Sequence, residues 1–219
     1  MKKIIMMFAV GLSTQEITQA QGTTYLSNLG QPSIGSYAVG SNSWLAADFS
    51  TGGNAGGYLI NSIQLAMTNA SGNPNGFTVM IYSAIVSAGG INPGTNLETL
   101  NGSLNPTTAG IFTYTPAPSL TLSQNTKYYI VLTAGTAINN GAYEWSIEDA
   151  SRPSSDGWLG YGVLQSSDGQ NGWSFLGAPQ FPYSQFAINA TAIPEPGVLG
   201  LFALGGLAFL WHRRKAKAV

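Results

Sequence analysis

Seven carboxylates are the main candidates for acid-base chemistry in the central part of this sequence. They are Asp48, Glu98, Glu144, Glu148, Asp149, Asp156 and Asp168. The chain has no cysteine, and its one histidine, His212, lies close to the carboxyl end. Catalytic schemes built on Ser-His-Asp or Cys-His, and zinc sites built on histidine, are therefore excluded for the central part.

A pair of carboxylates is enough for glycoside hydrolysis if the two groups lie about 5 to 10 Å apart. Glu144 and Glu148 fall on one face of a predicted strand, but at about 3.3 Å per residue their backbones are about 13 Å apart. We therefore expect the acidic side chains to be solvated surface groups and the protein not to be an enzyme. The alternative is a carboxylate-dependent enzyme that acts on polysaccharides.

Residues 168–171, Asp-Gly-Gln-Asn, offer the oxygen ligands that calcium prefers. The sequence has no EF-hand spacing, so ordinary turn chemistry is the favoured interpretation. We expect neither a metal site nor a cofactor.

Aromatic side chains beside glycine-rich turns suggest a carbohydrate site. Trp158, Tyr161 and Trp173 lie in or next to the related sequences SSDGW and SSDGQNGW, whose Asp-Gly and Asn-Gly pairs favour hairpin turns. Exposed rings of this kind have an apolar face and a polar tip, which suits a sugar ring. Trp44 and Trp145 are assigned to the core. Trp158, Tyr161 and Trp173 are therefore the candidate glycan platform, and the alternative function that they suggest is that of a carbohydrate-binding module.

The charge of the chain is unevenly distributed. Most of the basic residues lie at the two ends, and they are Lys2, Lys3, Arg213, Arg214, Lys215 and Lys217. Lys127 and Arg152 remain in the central part, where two positive charges face seven negative ones, a net charge of −5. Because nucleic-acid binding depends on neutralising phosphates, we expect no nucleic-acid partner.

Short apolar runs separated by turn residues must position these side chains. Examples are WLAADFS (44–50), YLINSIQLAMT (58–68), FTVMIYS (77–83), GIFTYTP (110–116) and TKYYIVLTAG (126–135). A loop is predicted around Asn92-Pro93-Gly94. Many short strands without a helical period favour an all-β fold, a single antiparallel β-sandwich of the jelly-roll type over residues 21–192.

Residues 142–148, AYEWSIE, show the alternation of a half-buried strand. The two alternating sets are Tyr143, Trp145 and Ile147 on one face, and Glu144, Ser146 and Glu148 on the other. The first set is predicted to face the core and the second to face solvent.

The first twenty residues have the pattern of a secretory signal peptide. Lys2 and Lys3 precede an apolar run at residues 4–12 that is too short to span a bilayer, and Ala20 is a small residue at the cleavage position. We therefore predict export, with cleavage by signal peptidase between Ala20 and Gln21.

The carboxyl end, residues 193–219, combines an apolar run with a basic cluster. At about 1.5 Å per residue, a helix over residues 197–211 reaches about 22 Å, short of the roughly 30 Å of hydrocarbon in a bilayer. We predict a short transmembrane helix there, held in the inner membrane. The basic cluster, Arg213, Arg214, Lys215 and Lys217, would remain in the cytoplasm.

Pro194-Glu195-Pro196, followed by the apolar run and the arginine cluster, resembles the PEP-CTERM sorting signal of exported Gram-negative bacterial proteins. The resemblance implies recognition by an exosortase, a membrane enzyme of the cysteine transpeptidase type that would cleave near the tripeptide. Pro194, Glu195 and Pro196 are then part of a substrate and are not catalytic. The implied destination is the cell surface or the extracellular matrix, with its exopolysaccharide and biofilm.

The central part resembles the choice-of-anchor R family of exported bacterial proteins. The resemblance rests on residues 44–49 followed by Thr-Gly, on residues 58–65, on a Pro-Gly loop, on the pattern of residues 120–129, and on Tyr143 and Trp145. It implies an extracellular β-domain and does not indicate an activity. The predicted organisation is a signal peptide (1–20), a β-domain (21–192) and a sorting segment (193–219), in a surface-sorted protein associated with polysaccharide.

Overall fold

The part of the chain that the structure describes is all-β in the computed structural model. The structure describes residues 22–87, 90–149, 153–170, 172–176, 182–195 and 197. The predicted signal peptide, the Ala20 and Gln21 cleavage site, Pro196, residues 198–211 and the basic cluster lie outside the described residues. None of the described segments is a helix with the length and apolar character that spanning a bilayer requires.

Sixteen strands lie in the described residues. The first eight are β1 (Thr23–Ser27), β2 (Gly35–Val39), β3 (Trp44–Ser50), β4 (Tyr58–Met67), β5 (Ser71–Gly72), β6 (Thr78–Ser87), β7 (Gly90–Asn101) and β8 (Gly110–Pro116). The others are β9 (Leu120–Leu122), β10 (Lys127–Thr133), β11 (Gly141–Glu148), β12 (Ser154–Ser155), β13 (Trp158–Ser166), β14 (Ser174–Phe175), β15 (Tyr183–Ser184) and β16 (Phe186–Ala192). One 3-10 turn, Ile138–Asn140, precedes β11.

The strand pairs of the described residues are antiparallel, which confirms the predicted all-β antiparallel class. The main hydrogen-bonded path runs β1-β16-β4-β8-β7-β6-β10-β3-β13-β12. Strand β7 is long enough to pair with β6 and, at Leu100 and Asn101, with Pro116 and Thr115 of β8. The strands therefore form one continuous sheet, whereas the predicted sandwich has two separate sheets.

Two strands, β3 and β8, have the bounds that the sequence predicts. The predicted loop at Asn92-Pro93-Gly94 is wrong, because these residues belong to β7. Over this part of β7 the described partner is β6 alone, so the strand has a free edge. Pro93 is tolerated there because an edge strand does not require every backbone N–H for pairing.

The continuous sheet surrounds one large apolar core. Its members come from strands of the main path and from β11, among them Leu45, Phe49, Ile63, Leu65, Ile130, Trp145 and Ile188. Trp145 is fully buried, as predicted, and its indole Nε1 donates to the Gln185 carbonyl oxygen at 3.0 Å. Tyr143 is also buried, and its ring meets Phe77 edge-on at 4.9 Å.

Trp158 also lies in this core, with 0 % of its surface exposed. Its ring stacks on Phe49 at 6.0 Å and on Tyr25 at 5.2 Å, and Tyr58 meets it edge-on at 4.9 Å. The predicted Asp-Gly hairpin turn is present, since Ser155 pairs with Trp158 across it. The placement of Trp158 in an exposed glycan platform is wrong, because the turn directs the indole inward, where Tyr25 of β1 packs on it.

The second face of β11 is more buried than its alternation predicts. Ser146 and Glu148 are only 3 % and 0 % exposed, so their predicted solvent exposure is wrong, while Glu144 is half-buried. Asn28 Nδ2 donates to Glu148 Oε1 at 3.0 Å, and the Ser146 hydroxyl donates to Gln185 Oε1 at 2.6 Å. Alternation identifies residues that share a face, but it does not reveal that other segments cover that face.

Replacing Trp158 by alanine tests its place in the core. We expect Trp158→Ala to lower the free energy of unfolding by about 3 to 5 kcal/mol, because it leaves a large cavity among three aromatic rings. Urea unfolding of the purified protein measures the loss. Trp173→Ala, at a half-buried position, is the matched control and should cost clearly less. Equal losses in the two variants would contradict the assignment.

Buried tyrosines make the fold sensitive to alkaline pH. Burial raises the pKa of Tyr114, Tyr129 and Tyr143, and the charge of Asp48 raises that of Tyr129 further. Because the unfolded chain releases these protons first, stability is full below about pH 10 and falls as the pH rises above that value. We expect Tyr129→Phe to lose less unfolding free energy than the wild type between about pH 8 and pH 11. If both proteins lost the same unfolding free energy over this range, the raised pKa of Tyr129 would not be a cause of the alkaline sensitivity.

Candidate functional site

The predicted sorting segment begins where the last strand ends. At the end of β16, Thr191 pairs with Leu59 and Ala192 pairs with Tyr58. The ladder continues for one more residue, because the Ile193 N–H donates to the Gly57 carbonyl oxygen at 3.0 Å. It ends there since β4 begins at Tyr58 and the chain before it turns away.

A loop of sequence TGGNAGG, residues 51–57, closes over Ile193. Asn54 Nδ2 donates to the carbonyl oxygens of Ile193 at 2.9 Å and of Gly57 at 2.6 Å. A Cβ added to Gly56 would collide with the Ile193 carbonyl oxygen, so this close approach requires glycine. Gly57 has φ +76°, which glycine adopts freely. We call Asn54, Gly56 and Gly57 the clasp.

The clasp is connected to the aromatic core through Tyr58. The Asn54 backbone N–H donates to the Tyr58 hydroxyl at 3.1 Å, and the Tyr58 ring packs edge-on against Trp158. At its other end the loop is held by Thr51, whose hydroxyl donates to the Ser123 carbonyl oxygen at 2.6 Å. The position of Ile193 thus follows from the packing of the domain.

Exposure changes abruptly after the clasp. Ile193 is half-buried, whereas Pro194 and Glu195, the next two residues, are exposed. A protein that binds the predicted tripeptide can therefore reach its first two residues without entering the fold.

Trp158 and Trp173, two residues of the predicted glycan platform, do not lie on one surface. Trp158 belongs to the main core, whereas Trp173 is half-buried against a second cluster formed by Ala46, Met80, Tyr129, Val131 and Leu164. Tyr161 lies in β13, but its side chain is outside the described part of the structure. Of the three predicted residues, Trp173 alone is seen to contribute to the surface.

An aromatic residue that the sequence reasoning missed lies beside Trp173. Phe175 is 53 % exposed and pairs with Leu164 across β13 and β14, so its side chain shares a face with Leu164. Trp173, two residues earlier, packs against the cluster that contains Leu164. The alternation Trp-x-Phe in residues 173–175 is the signal that could have identified Phe175.

Several carboxylates have structural partners. Asp48 Oδ2 accepts a 2.6 Å bond from Lys127 Nζ, and the Asp48 side chain is only 4 % exposed. Glu148 is buried beside Asn28, and Glu144 accepts a 2.8 Å bond from the Ser36 hydroxyl. The predicted solvation is therefore wrong for Asp48 and Glu148, because each buried carboxylate has a donor from another segment to replace water.

The acidic turn at Asp168 has ordinary turn chemistry. Asp168 Oδ1 accepts from the Gln170 backbone N–H at 2.9 Å and from the Ser166 hydroxyl at 3.1 Å. In the part of the chain that the structure describes, no group of three His, Cys, Asp or Glu residues could hold a metal ion.

A groove of about 390 Å³ lies between β4, β7 and the turn from β8 to β9. Its lining includes Leu59, Asn61, Asn101, Pro116 and Ser119, and no charged side chain. The groove can donate and accept hydrogen bonds, but its lining has no carboxylate for acid-base chemistry.

Comparison with known families assigns a role to the carboxyl end alone. Residues 192–215 match the family model of the PEP-CTERM protein-sorting motif, which confirms the predicted sorting signal. The match begins at Ala192, the last residue of β16, and includes Pro194, Glu195 and Pro196. It supports an exported protein that is processed by an exosortase.

No curated protein and no solved structure matches the chain significantly. The resemblance of the central part to the choice-of-anchor R family therefore stays a prediction.

Proposed function

We propose that this protein is an exported, non-enzymatic β-domain that an exosortase-type enzyme processes near Pro194 for display at the cell surface. The position of the sorting motif carries the proposal. The matched segment starts at the last residue of the last strand, and Pro194 and Glu195 are exposed directly after it. The processing enzyme can therefore bind the motif while the domain stays folded.

The proposed route uses both ends of the chain. Signal peptidase removes residues 1–20, and residues 197–211 hold the exported domain in the inner membrane. Cleavage breaks one peptide bond near Pro194. The acyl end of the domain passes to the cysteine thiol of the exosortase and then to water or to an amine acceptor. The membrane segment leaves with a new amino terminus.

A non-enzymatic role is supported by the state of the acidic residues. Asp48 and Glu148 are buried with donors from other segments, and the described groove has no charged lining. The central part also has no histidine or cysteine to act as a nucleophile or general base.

Association with extracellular polysaccharide is the second part of the proposal. The resemblance of the sorting signal implies a setting rich in extracellular polysaccharide, and the exposed Phe175 beside Trp173 favours contact with sugar rings. A net charge of −5 over the central part favours neutral sugars over anionic polymers, which it repels.

The mass of the mature protein tests the processing step. We expect the surface form to begin at Gln21 and to lack Trp211 and Arg213, because cleavage near Pro194 removes them. Intact-mass spectrometry of cell-surface and membrane fractions measures this. Glu195→Gln should accumulate in the membrane at the mass of the anchored form. A surface product that keeps Arg213 would rule out processing and leave a plain membrane anchor.

Polysaccharide binding tests the aromatic surface. We expect Trp173→Ala and Phe175→Ala each to weaken retention of the protein by its own extracellular polysaccharide several-fold, because each ring contributes on the order of 1 kcal/mol. Affinity electrophoresis measures retention. Ile111→Ala, which removes a side chain of similar exposure from β8, is the control. Unchanged retention in both aromatic variants would exclude this surface as the binding site.

A further inference from the structure

The residue before the sorting tripeptide is the last one that the fold holds. Both backbone groups of Ile193 are bonded, its N–H to the Gly57 carbonyl oxygen and its carbonyl oxygen to Asn54 Nδ2. An enzyme that binds an extended peptide uses the main-chain groups of that peptide. Ile193 cannot offer these groups to an enzyme while the clasp holds them.

We propose that the clasp controls the access of the processing enzyme to the bond near Pro194, with Asn54 as the positioning residue. In the closed state, the enzyme reaches Pro194 and Glu195 but not the backbone of Ile193. Release of Ile193 from Asn54 and Gly57 supplies the missing extended residue. This inference rests on the proposed processing by an exosortase.

The structure favours a local release over unfolding of the domain. Ile193 is half-buried and Thr191 is exposed, whereas Ala190 is fully buried in the core. Fraying of the end of β16 can therefore free Ile193 and stop before Ala190. Strand ends with few buried contacts open far more often than the whole fold unfolds.

The glycines of the loop account for the tight closure. Gly56 lies against the Ile193 carbonyl oxygen at a distance that no Cβ allows. The Asn54 amide bonds two carbonyl oxygens at once, so its loss removes both contacts. Asn54→Ala and Gly56→Ala therefore loosen the same contact by different means, one by removing donors and the other by a steric collision.

Hydrogen exchange measures the clasp itself. In the full-length protein, kept uncleaved by Glu195→Gln, we expect Asn54→Ala to accelerate exchange of the Ile193 amide roughly tenfold, as the loss of two neutral hydrogen bonds implies. Asn54→Asp keeps the shape of the side chain but replaces the donor with a carboxylate, so it should have at least the same effect. Unchanged exchange in both variants would show that Asn54 does not hold Ile193.

The rate of processing by the exosortase measures the effect of the clasp on cleavage. In cells that contain the exosortase, we expect Asn54→Ala and Gly56→Ala to release the carboxyl tail roughly tenfold faster than the wild type. Asn69→Ala is the matched control, since Asn69 Oδ1 also holds a loop through the Ala109 N–H. Asn69 lies beyond the opposite end of β4, roughly 30 Å along the strand from the clasp.

An inserted linker distinguishes control of cleavage by the clasp from a general loss of stability of the domain. Four flexible residues inserted between Ile193 and Pro194 supply extended chain outside the clasp, so this insertion should speed processing by a similar factor. Asn54→Ala should then add nothing in the insertion background. If Asn54→Ala has the same effect with and without the insertion, it acts through the stability of the domain and the gating proposal is wrong.

The outcomes distinguish this inference from the proposed function. If the wild-type chain is never cleaved, the proposed processing fails, and gating fails with it. If the wild type is cleaved but its rate does not change in Asn54→Ala, Gly56→Ala or the insertion, processing stands and the clasp has no role in it.

Discussion

The rest of the structure depends on the pairing of β4 along both of its edges. One edge pairs with β16 and with β11 at Trp145, and the other pairs with β8 and β9. Its apolar residues Ile63, Leu65 and Met67 are buried in the core. Because antiparallel side chains alternate between faces, a shift of one residue would expose this set. The register between β4 and β16 is thereby determined, and so is the point at which the chain leaves the sheet.

That exit point connects the core to the sorting motif. Tyr58, the first residue of β4, packs on Trp158 and accepts the Asn54 N–H, and the Asn54 side chain binds Ile193. An aromatic contact inside the domain therefore positions the residue before Pro194. The sorting motif thus begins at the residue where the last strand of the domain ends. Ile193, between Ala192 and Pro194, is held by the clasp and is not part of a flexible linker.

Many of the strands could be predicted because their residues carry local signals. Strand β3 carries the aromatic residues Trp44 and Phe49, strand β8 combines β-branched with aromatic residues, and the bounds of both match the prediction. The Asp156-Gly157 turn could also be predicted, because Asp-Gly pairs favour the positive φ that both residues adopt in the structure. The burial of Trp158, directly after this turn, could not be predicted, because a turn motif does not show which way the next side chain points relative to the rest of the fold.

The buried polar groups could not be predicted from local pattern. Glu148 occupies a position that alternation assigns to solvent, yet Asn28, 120 residues earlier, covers it and donates to it. Asp48 is enclosed beside Lys127 across β3 and β10. Charged residues are usually solvated, and only a partner brought from a distant segment reverses that expectation.

The amino-acid sequence by itself determined which catalytic chemistries are excluded and that the protein carries a sorting signal. Residue types alone exclude histidine and cysteine chemistry in the central part, and a contiguous motif at residues 192–215 is readable without a fold. Tertiary structure alone decided which aromatic residues reach the surface and that Asn54 holds Ile193. These contacts join residues as far apart as 139 positions in the chain, and their geometry depends on strand register and packing that no local pattern encodes.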